Sequence, residues 1–407
     1  MMRSRWVVLV GCMIALATSF GPAYLFTFAV FLKPVIQEMH LSRTQASEGF
    51  SVAVFAAVLT STGAGIWIDR VGNRVVIIAA AIFLPVAMTC VALAHSFTSL
   101  AIAAFIVGAV GGASNPATII SLLPQWFDRR LGLALAIASS GIGLGGAFFP
   151  LAAQHFVQQL GWRYAVVAVA AIVALVGVPN AVLLVHDNRS FRKARRFDDH
   201  DDLPDDLSMG PSFGEVIRDR VYWRIAGSLS IVAMVYWGVS AHLAAIMTDR
   251  GFSPSIAALA VSASSVASLI LRLLCGVLLD YVSAQTIGMI FFLGEALGCF
   301  LLATGWPGFA PYAAAFLLGA ALGADSDILA FTLRRRFGMQ SHAAVYAFTY
   351  ALFNVGALLG PVLMGYTFDT FGSYQTALLF LGMLAAVAAL IFSTVPQIRR
   401  EWAVSNF

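Results

Sequence analysis

Charge is scarce along these 407 residues: Asp, Glu, Lys and Arg together make 11% of the chain, against roughly 25% in a soluble domain. That shortage excludes a water-soluble globule, and 60% hydrophobic residues with a mean hydropathy of +0.87 agree. Cysteine is scarce too. Cys12, Cys90, Cys275 and Cys299 all fall inside apolar stretches and form no Cys-x-x-Cys pair, so neither disulfides nor a metal centre is expected. The chain lacks a Gly-x-x-x-x-Gly-Lys-Ser/Thr loop to cradle nucleotide phosphates, which speaks against an ATP-driven pump. It also lacks a nucleophile–base set, so an enzyme is not expected and no cofactor is implied.

What is present is a series of long apolar runs. Stretches able to cross about 30 Å of hydrocarbon begin near Trp6, Gly49, Val75, Leu100, Leu131, Tyr164, Ile225, Ile256, Ile287, Phe309, Ala343 and Thr376. The first continues to Leu32, too long for a signal-peptide core and with no cleavage site closing it, so it reads as a retained helix. The runs also repeat. At an offset of 211 residues Gly65 and Asp69 recur as Gly276 and Asp280, Gly145 and Pro150 as Gly356 and Pro361, and Gly161 as Gly372. Five positions keeping one spacing at the ends of apolar runs point to duplication. The expectation is an all-α membrane protein of twelve transmembrane helices in two six-helix pseudo-repeats, residues 1–185 and 223–407, joined by a linker at 186–222.

An even number of spans puts both termini on one side, and the basic residues say which. Of 24 Lys and Arg, 19 fall on the side of the termini, while Lys33, Arg43, Arg163 and Arg250 fall on the other and Arg272 lies within a span. Both termini are therefore expected in the cytoplasm, and the net charge of +4 reflects topology rather than nucleic-acid binding. The linker turns from basic (Arg192, Lys193, Arg195, Arg196) to acidic (Asp198, Asp199, Asp201, Asp202, Asp205, Asp206). It reads as a solvated cytoplasmic segment, with a regulatory partner site as the alternative. Its end, Phe213 to Trp223, mixes apolar and charged residues at helical spacing, as in a helix lying on the membrane surface.

Gly65-Ile-Trp-Ile-Asp69-Arg70-Val-Gly72-Asn-Arg74 lies where the second span meets the termini side. Glycine permits a tight helix–loop–helix approach there, and Asp69, Arg70 and Arg74 can pair across helix ends to hold that face shut. This resembles the loop between helices 2 and 3 of the major facilitator superfamily. The second copy keeps Gly276 and Asp280 but carries Tyr281 in place of the arginine. A closer resemblance covers nearly the whole chain. Pro124-Gln-Trp-Phe-Asp-Arg129-Arg130 with Ser140-Gly-Ile-Gly-Leu-Gly145 looks like the fifth helix of monocarboxylate transporters and their oxalate/formate-antiporter relatives. Gly323-Ala-Asp325-Ser-Asp327 leading to Arg334-Arg335-Arg336 looks like their helix 10.

Arg272 is the only basic residue deep in a span, where a guanidinium costs roughly 2.5–3.5 kcal/mol on insertion scales and cannot deprotonate. It should face a cavity, where its fork can grip a carboxylate with two hydrogen bonds. The resemblance implies the same role, since an arginine of helix 8 binds the substrate carboxylate in that family. The other readings are an ion pair with Asp325 or Asp327, or snorkelling to the inner surface. Asp327 is taken as the proton-coupling acid and Asp325 as a packing or gating partner. In some animal relatives an acid stands one turn before the helix-8 arginine; Ser268 occupies that place here. The eleventh span carries no Lys or Arg, and its nearest polar candidate is Asn354. One cation with a neutral amide suits one carboxylate better than two.

Asn115, before Pro116, either donates to a substrate oxygen or satisfies the helix that proline breaks. Tyr24, after Gly21-Pro22, and the pair Tyr346 and Tyr350 can line the cavity or simply pack. Tyr236, Trp237 and His242 are weaker candidates, with His242 read as lying near the outer interface rather than in a proton relay. Glu48 and Glu295 stay unassigned. The reading is a monomeric secondary transporter of a bacterial inner membrane, moving a small monocarboxylate with a proton by rocker-switch alternating access. An organic anion exchanger and a non-transporting membrane receptor are its rivals.

Overall fold

A computed structural model describes residues 5–127, 131–188, 211–279, 281–305, 308–337 and 342–396. Within them, the side chains at 62–66, 69, 117, 276, 324–327, 330, 334, 335, 342–344 and 347 are outside the description. Asp280 therefore lies outside the described residues, as do the side chains of Asp69, Asp325 and Asp327, and so do Gly65 and Gly276 beyond their helical backbone. Among the described residues the protein is helical without strands, and twelve helices of 19 to 35 residues are long enough to cross a membrane.

The first half holds α1 (Arg5–Met39), α2 (Arg43–Val71), α3 (Asn73–Ala92), α4 (Phe97–Gln125), α5 (Leu131–Leu160) and α6 (Trp162–Leu183). The second holds α7 (Arg220–Asp249), α8 (Pro254–Leu278), α9 (Ala284–Thr304), α10 (Ala310–Phe337), α11 (His342–Phe371) and α12 (Gln375–Ser393). A short helix, Phe213–Val216, precedes α7, started by a capping box in which Ser212 and Glu215 exchange side-chain and backbone bonds. Serines start several spans in the same way. Ser42 accepts from Gln45 N while Gln45 Oε1 accepts from Ser42 N, and Ser253 and Ser283 cap α8 and α9.

Two spans are broken. In α1, Pro22 removes a backbone donor, and the chain passes through a π turn at Gly21–Leu25. Hydroxyls of Thr18, Ser19 and Thr27 bond nearby carbonyls and keep the break free of bare polar groups. In α4 a 3₁₀ turn at Gly112–Ser114 precedes Asn115-Pro116.

The duplication is built into the packing. A Cβ on Gly108 of α4 would sit 2.0 Å from Ala53 O of α2, and one on Gly112 would sit 2.5 Å from Ala57 O. At the same offset of 211, Gly319 of α10 would meet Ser264 O of α8 at 2.0 Å, and Gly323 would meet Ser268 O at 2.4 Å. Each half thus closes one helix pair through a Gly-x-x-x-Gly seam, in which the missing side chains let two backbones touch. Gly161 (φ +80°) and Gly372 (φ +67°) occupy matching joints before α6 and α12, with the positive φ that glycine tolerates.

The halves meet through α1 with α7, α2 with α11, and α5 with α8. Among the described residues, the hydrogen bonds and ion pairs joining them gather towards the end of the bundle opposite the termini, here called the far end, with Ser51 Oγ to Leu358 O the deepest.

Candidate functional site

Arg272 sits on the inner face of α8. Leu259, Val266, Ile270, Leu273, Leu274 and Val277 form that helix's exposed apolar stripe. Ser265, Ser268, Leu269 and Arg272, spaced by three or four residues, form the opposite one. This inner face meets two neighbours. Gly146 and Gly143 of α5, from the other half, approach Ser265 and Leu269, and Gly323 of α10 approaches Ser268 O and Arg272 N. The guanidinium itself is half-buried, and among the described residues it makes no hydrogen bond or ion pair. A permanent cation held off the lipid face, with no partner among the described residues, can receive an anion, whether a substrate or an acid of α10 whose side chain lies outside those residues.

The glycine-rich run of α5 explains how the site is held. Gly141 and Gly145 press on Met13 O and Ala17 O of α1, within the half, while Gly143 and Gly146 press on α8. One short stretch therefore serves two seams, and the second fixes the depth of Arg272 relative to the first half.

The other candidates separate. Tyr346, Tyr350 and Phe353 form one stack on α11, with centroids 6.3 and 5.7 Å apart and planes within 6°. Tyr350 is 46% exposed. Asn354, on the same helix, donates to Tyr350 O at 2.7 Å, which leaves one of its amide hydrogens and its oxygen available. Asn115 is committed elsewhere: its Nδ2 donates to Gly112 O at 2.8 Å and its Oδ1 accepts from Thr118 N at 3.0 Å. It repairs the α4 break, the second of the two roles its position offered, and keeps one amide hydrogen besides. Tyr24 lies in the first half. It stacks on Phe20 at 5.6 Å and lines a small apolar cavity of about 50 Å³ with Thr27, Phe31, Met88, Leu100 and Trp162, all of the first half.

In the motif between α2 and α3, Gly72 turns the chain with φ +96°. Arg74 donates to Val182 O and, through its backbone, to Asp187, so it ties α3 to the end of α6 within one half. Asn73, not singled out in the sequence, donates to Thr118 O and Ser121 Oγ and accepts from Gln125. Arg70 is exposed.

The most elaborate polar cluster is the far-end lock. Lys33 Nζ lies 2.5 Å and Arg43 Nη1 2.8 Å from the two oxygens of Asp249, across the halves. Asp369 accepts from the backbone nitrogens of Arg43 and Thr44 and from the Thr44 hydroxyl, capping the start of α2 from the opposite half. Arg43 also lies over the Phe368 ring and donates to Tyr374 Oη. Burial holds the Tyr374 hydroxyl above its usual range against the pull of Arg43, so it stays a phenol. Beneath it, the fully buried His242 meets Tyr374 Oη at 2.8 Å, Ser47 Oγ at 3.0 Å and Pro361 O at 3.1 Å. Phe26 and Phe50 pack on Trp237, each 5.9 Å away, and close the layer below.

The profile of the Major Facilitator Superfamily matches residues 7–323 and 225–403. Monocarboxylate transporter 13 of Bos taurus is 22% identical over 395 residues, covering 95% of this chain and 89% of its own. A bacterial homologue of the human lysosomal transporter Spinster, solved inward-facing and unoccupied, superposes with a TM-score of 0.74 at 17% identity over 97% of each chain. A D-xylose–proton symporter gives 0.74 at 15% identity over 96% of this chain and 98% of its own. The profile spans both halves of the repeat, and the chain belongs to the major facilitator superfamily of membrane transporters.

Proposed function

We propose that this transporter carries a small monocarboxylate together with a proton, by rocking its halves about a site centred on Arg272. The observation behind this reading is the half-buried guanidinium on the inner face of α8, with no hydrogen bond or ion pair among the described residues. A carboxylate docked there forms two charge-assisted hydrogen bonds and restores charge balance in a low-dielectric setting. For the second wall we take α11, with the second amide hydrogen of Asn354 and the Tyr346–Tyr350 stack. α11 offers no second cation between 343 and 366. A dicarboxylate would carry one charge too many into the site. The similarity to monocarboxylate transporter 13 points to the same substrate class.

For the proton we take Asp327. It follows Gly323 by one helical turn, and Gly323 marks where α10 meets α8. Residue 325 stands about 200° from 327 around the helix axis and serves packing or gating. Both termini and the 186–222 linker between the halves 1–185 and 223–407 are placed in the cytoplasm on the distribution of basic residues, which makes the far end the outer side.

The test is counterflow of labelled monocarboxylates in proteoliposomes, then uptake under an imposed pH gradient. Acid-driven accumulation by the wild type and its loss in Arg272→Ala, at equal reconstitution, are expected. Full uptake by Arg272→Ala would remove the site from this arginine. Exchange without net accumulation would make the carrier an anion exchanger, and tight binding without flux would make it a receptor.

A further inference from the structure

We propose that His242 binds a proton from the far side each time the far-end lock opens and gives it up when the lock closes, so that acidity on that side favours the open, loading state. The hydrogen bonds around the ring leave room for one ring proton. Pro361 O, 3.1 Å from Nε2, can only accept, so Nε2 carries the hydrogen. Ser47 Oγ, 3.0 Å from the same nitrogen, gives its own hydrogen to Arg43 O and accepts here too. That leaves Nδ1, 2.8 Å from Tyr374 Oη. The phenol oxygen receives an Arg43 N–H, so its own hydrogen points to Nδ1, which must accept it. The closed lock thus holds a neutral imidazole in one tautomer, with every position filled.

A second ring proton has no partner in that arrangement. An N–H at Nδ1 would face the phenol hydrogen, which could turn away only towards the Arg43 guanidinium. Charge argues the same way. The groups around the ring are Lys33 of α1, Arg43 of α2, Asp249 of α7 itself, Asp369 of α11 and Tyr374 at the start of α12. The two bases of one half match the two acids of the other in number: both bases pair with Asp249, while Asp369 accepts from the Arg43 and Thr44 backbone and the Thr44 hydroxyl. Glu48, next to Ser47 on α2, has no hydrogen bond or ion pair among the described residues. An imidazolium would add one unmatched charge to a closed, water-excluding interface.

When the halves part at this end, Ser47 leaves with α2, water reaches the ring, and Nδ1 can take a proton from it. Closure then requires that proton to return to the same side. Proton concentration there acts as a ligand for the open state alone, and shifts the population accordingly. If the far end is the outer side, the device turns the empty carrier towards acid before substrate arrives.

The experiment needs no substrate, so it stands apart from the Arg272 reading. Spin labels placed by Thr98→Cys and Thr370→Cys, exposed on opposite halves at the far end, would report the distance between halves. The full chain, with Cys12, Cys90, Cys275 and Cys299 replaced, would be measured in nanodiscs between about pH 8 and pH 5, around the ordinary histidine range. The expected result is a longer-distance population that grows several-fold on acidification and is constant with pH in His242→Gln, which still carries His40, His95 and His155 at the same end. Tyr374→Phe removes the donor facing Nδ1 and should shift the midpoint towards higher pH. An acid response that survives in His242→Gln, or a midpoint unmoved by Tyr374→Phe, would overturn the proposal.

Discussion

Arg43 at the start of α2 and Asp249 at the end of α7 meet across the two halves at 2.8 Å, and Lys33 takes the other oxygen of the same carboxylate. These side chains are mostly buried, at 12% and 30% exposure for the first pair, so the pair is stronger than a surface one. Asp249→Asn should shift the lock towards opening by about 1 kcal/mol, roughly fivefold in the equilibrium. The measurement is the open fraction by the same spin-label pair, in a double-mutant cycle with Arg43→Gln. Additive single effects would show that the two do not act on each other.

The Gly-x-x-x-Gly seams make a second prediction, about stability. Gly319→Ala places a methyl 2.0 Å from Ser264 O, against backbone that cannot yield cheaply, whereas Gly294→Ala finds Leu317 at an ordinary 3.6 Å. The first should cost about 1–3 kcal/mol as overpacking, the second much less. Thermal melts of both variants in one detergent decide it, and Gly108→Ala should follow Gly319→Ala because it copies the same contact at 2.0 Å from Ala53 O.

The spans and their duplication were legible in sequence because both rest on long-range regularities, apolar length and a fixed offset. The seams were not singled out, although Gly108 and Gly112 recur 211 residues on as Gly319 and Gly323. The lock was not legible, and the reason is a broken repeat. Glu38 bonds Arg163 at 2.7 Å inside the first half. Adding 211 to each number gives Asp249 and Tyr374. With tyrosine in the arginine's place and the neighbouring Arg250 turned to Leu302 O, the acid of the second half reaches Lys33 and Arg43 instead. Acids alone do not announce which way they turn. The direction of Tyr24 was hidden for a different reason. It lies in a π turn, whose extra residue rotates the helix face away from the 3.6-residue phase. For Asn115, spacing could not decide between two partners of equal chemistry, a broken helix and a substrate.

Topology can be checked directly. The 19 basic residues on the side of the termini predict that a cysteine at Ser208, in the segment between the halves, is hidden from an impermeant reagent added to intact cells. It should label once the membrane is permeabilised, in a background lacking the four native cysteines. Labelling in intact cells would invert the whole assignment, and with it the side on which the far-end lock meets substrate.

The last prediction separates the two aspartates of α10. A proton-coupled carrier must return empty, and an intramembrane acid beside a fixed guanidinium can make that return only in one charge state, paired with the cation when substrate is absent. Asp327→Asn removes that state, so the empty carrier keeps an unmatched arginine and reorients slowly, while the substrate-loaded carrier is unaffected. Acid-driven uphill accumulation should therefore fall at least about tenfold, a barrier increase of roughly 1.4 kcal/mol, and exchange of internal for external substrate should persist. Asp325→Asn, about half a turn away around the helix, should retain accumulation. Both are measured in proteoliposomes under the same imposed pH gradient. Full accumulation by Asp327→Asn would take this residue out of the mechanism, and loss in Asp325→Asn alone would move the coupling acid two positions back along α10.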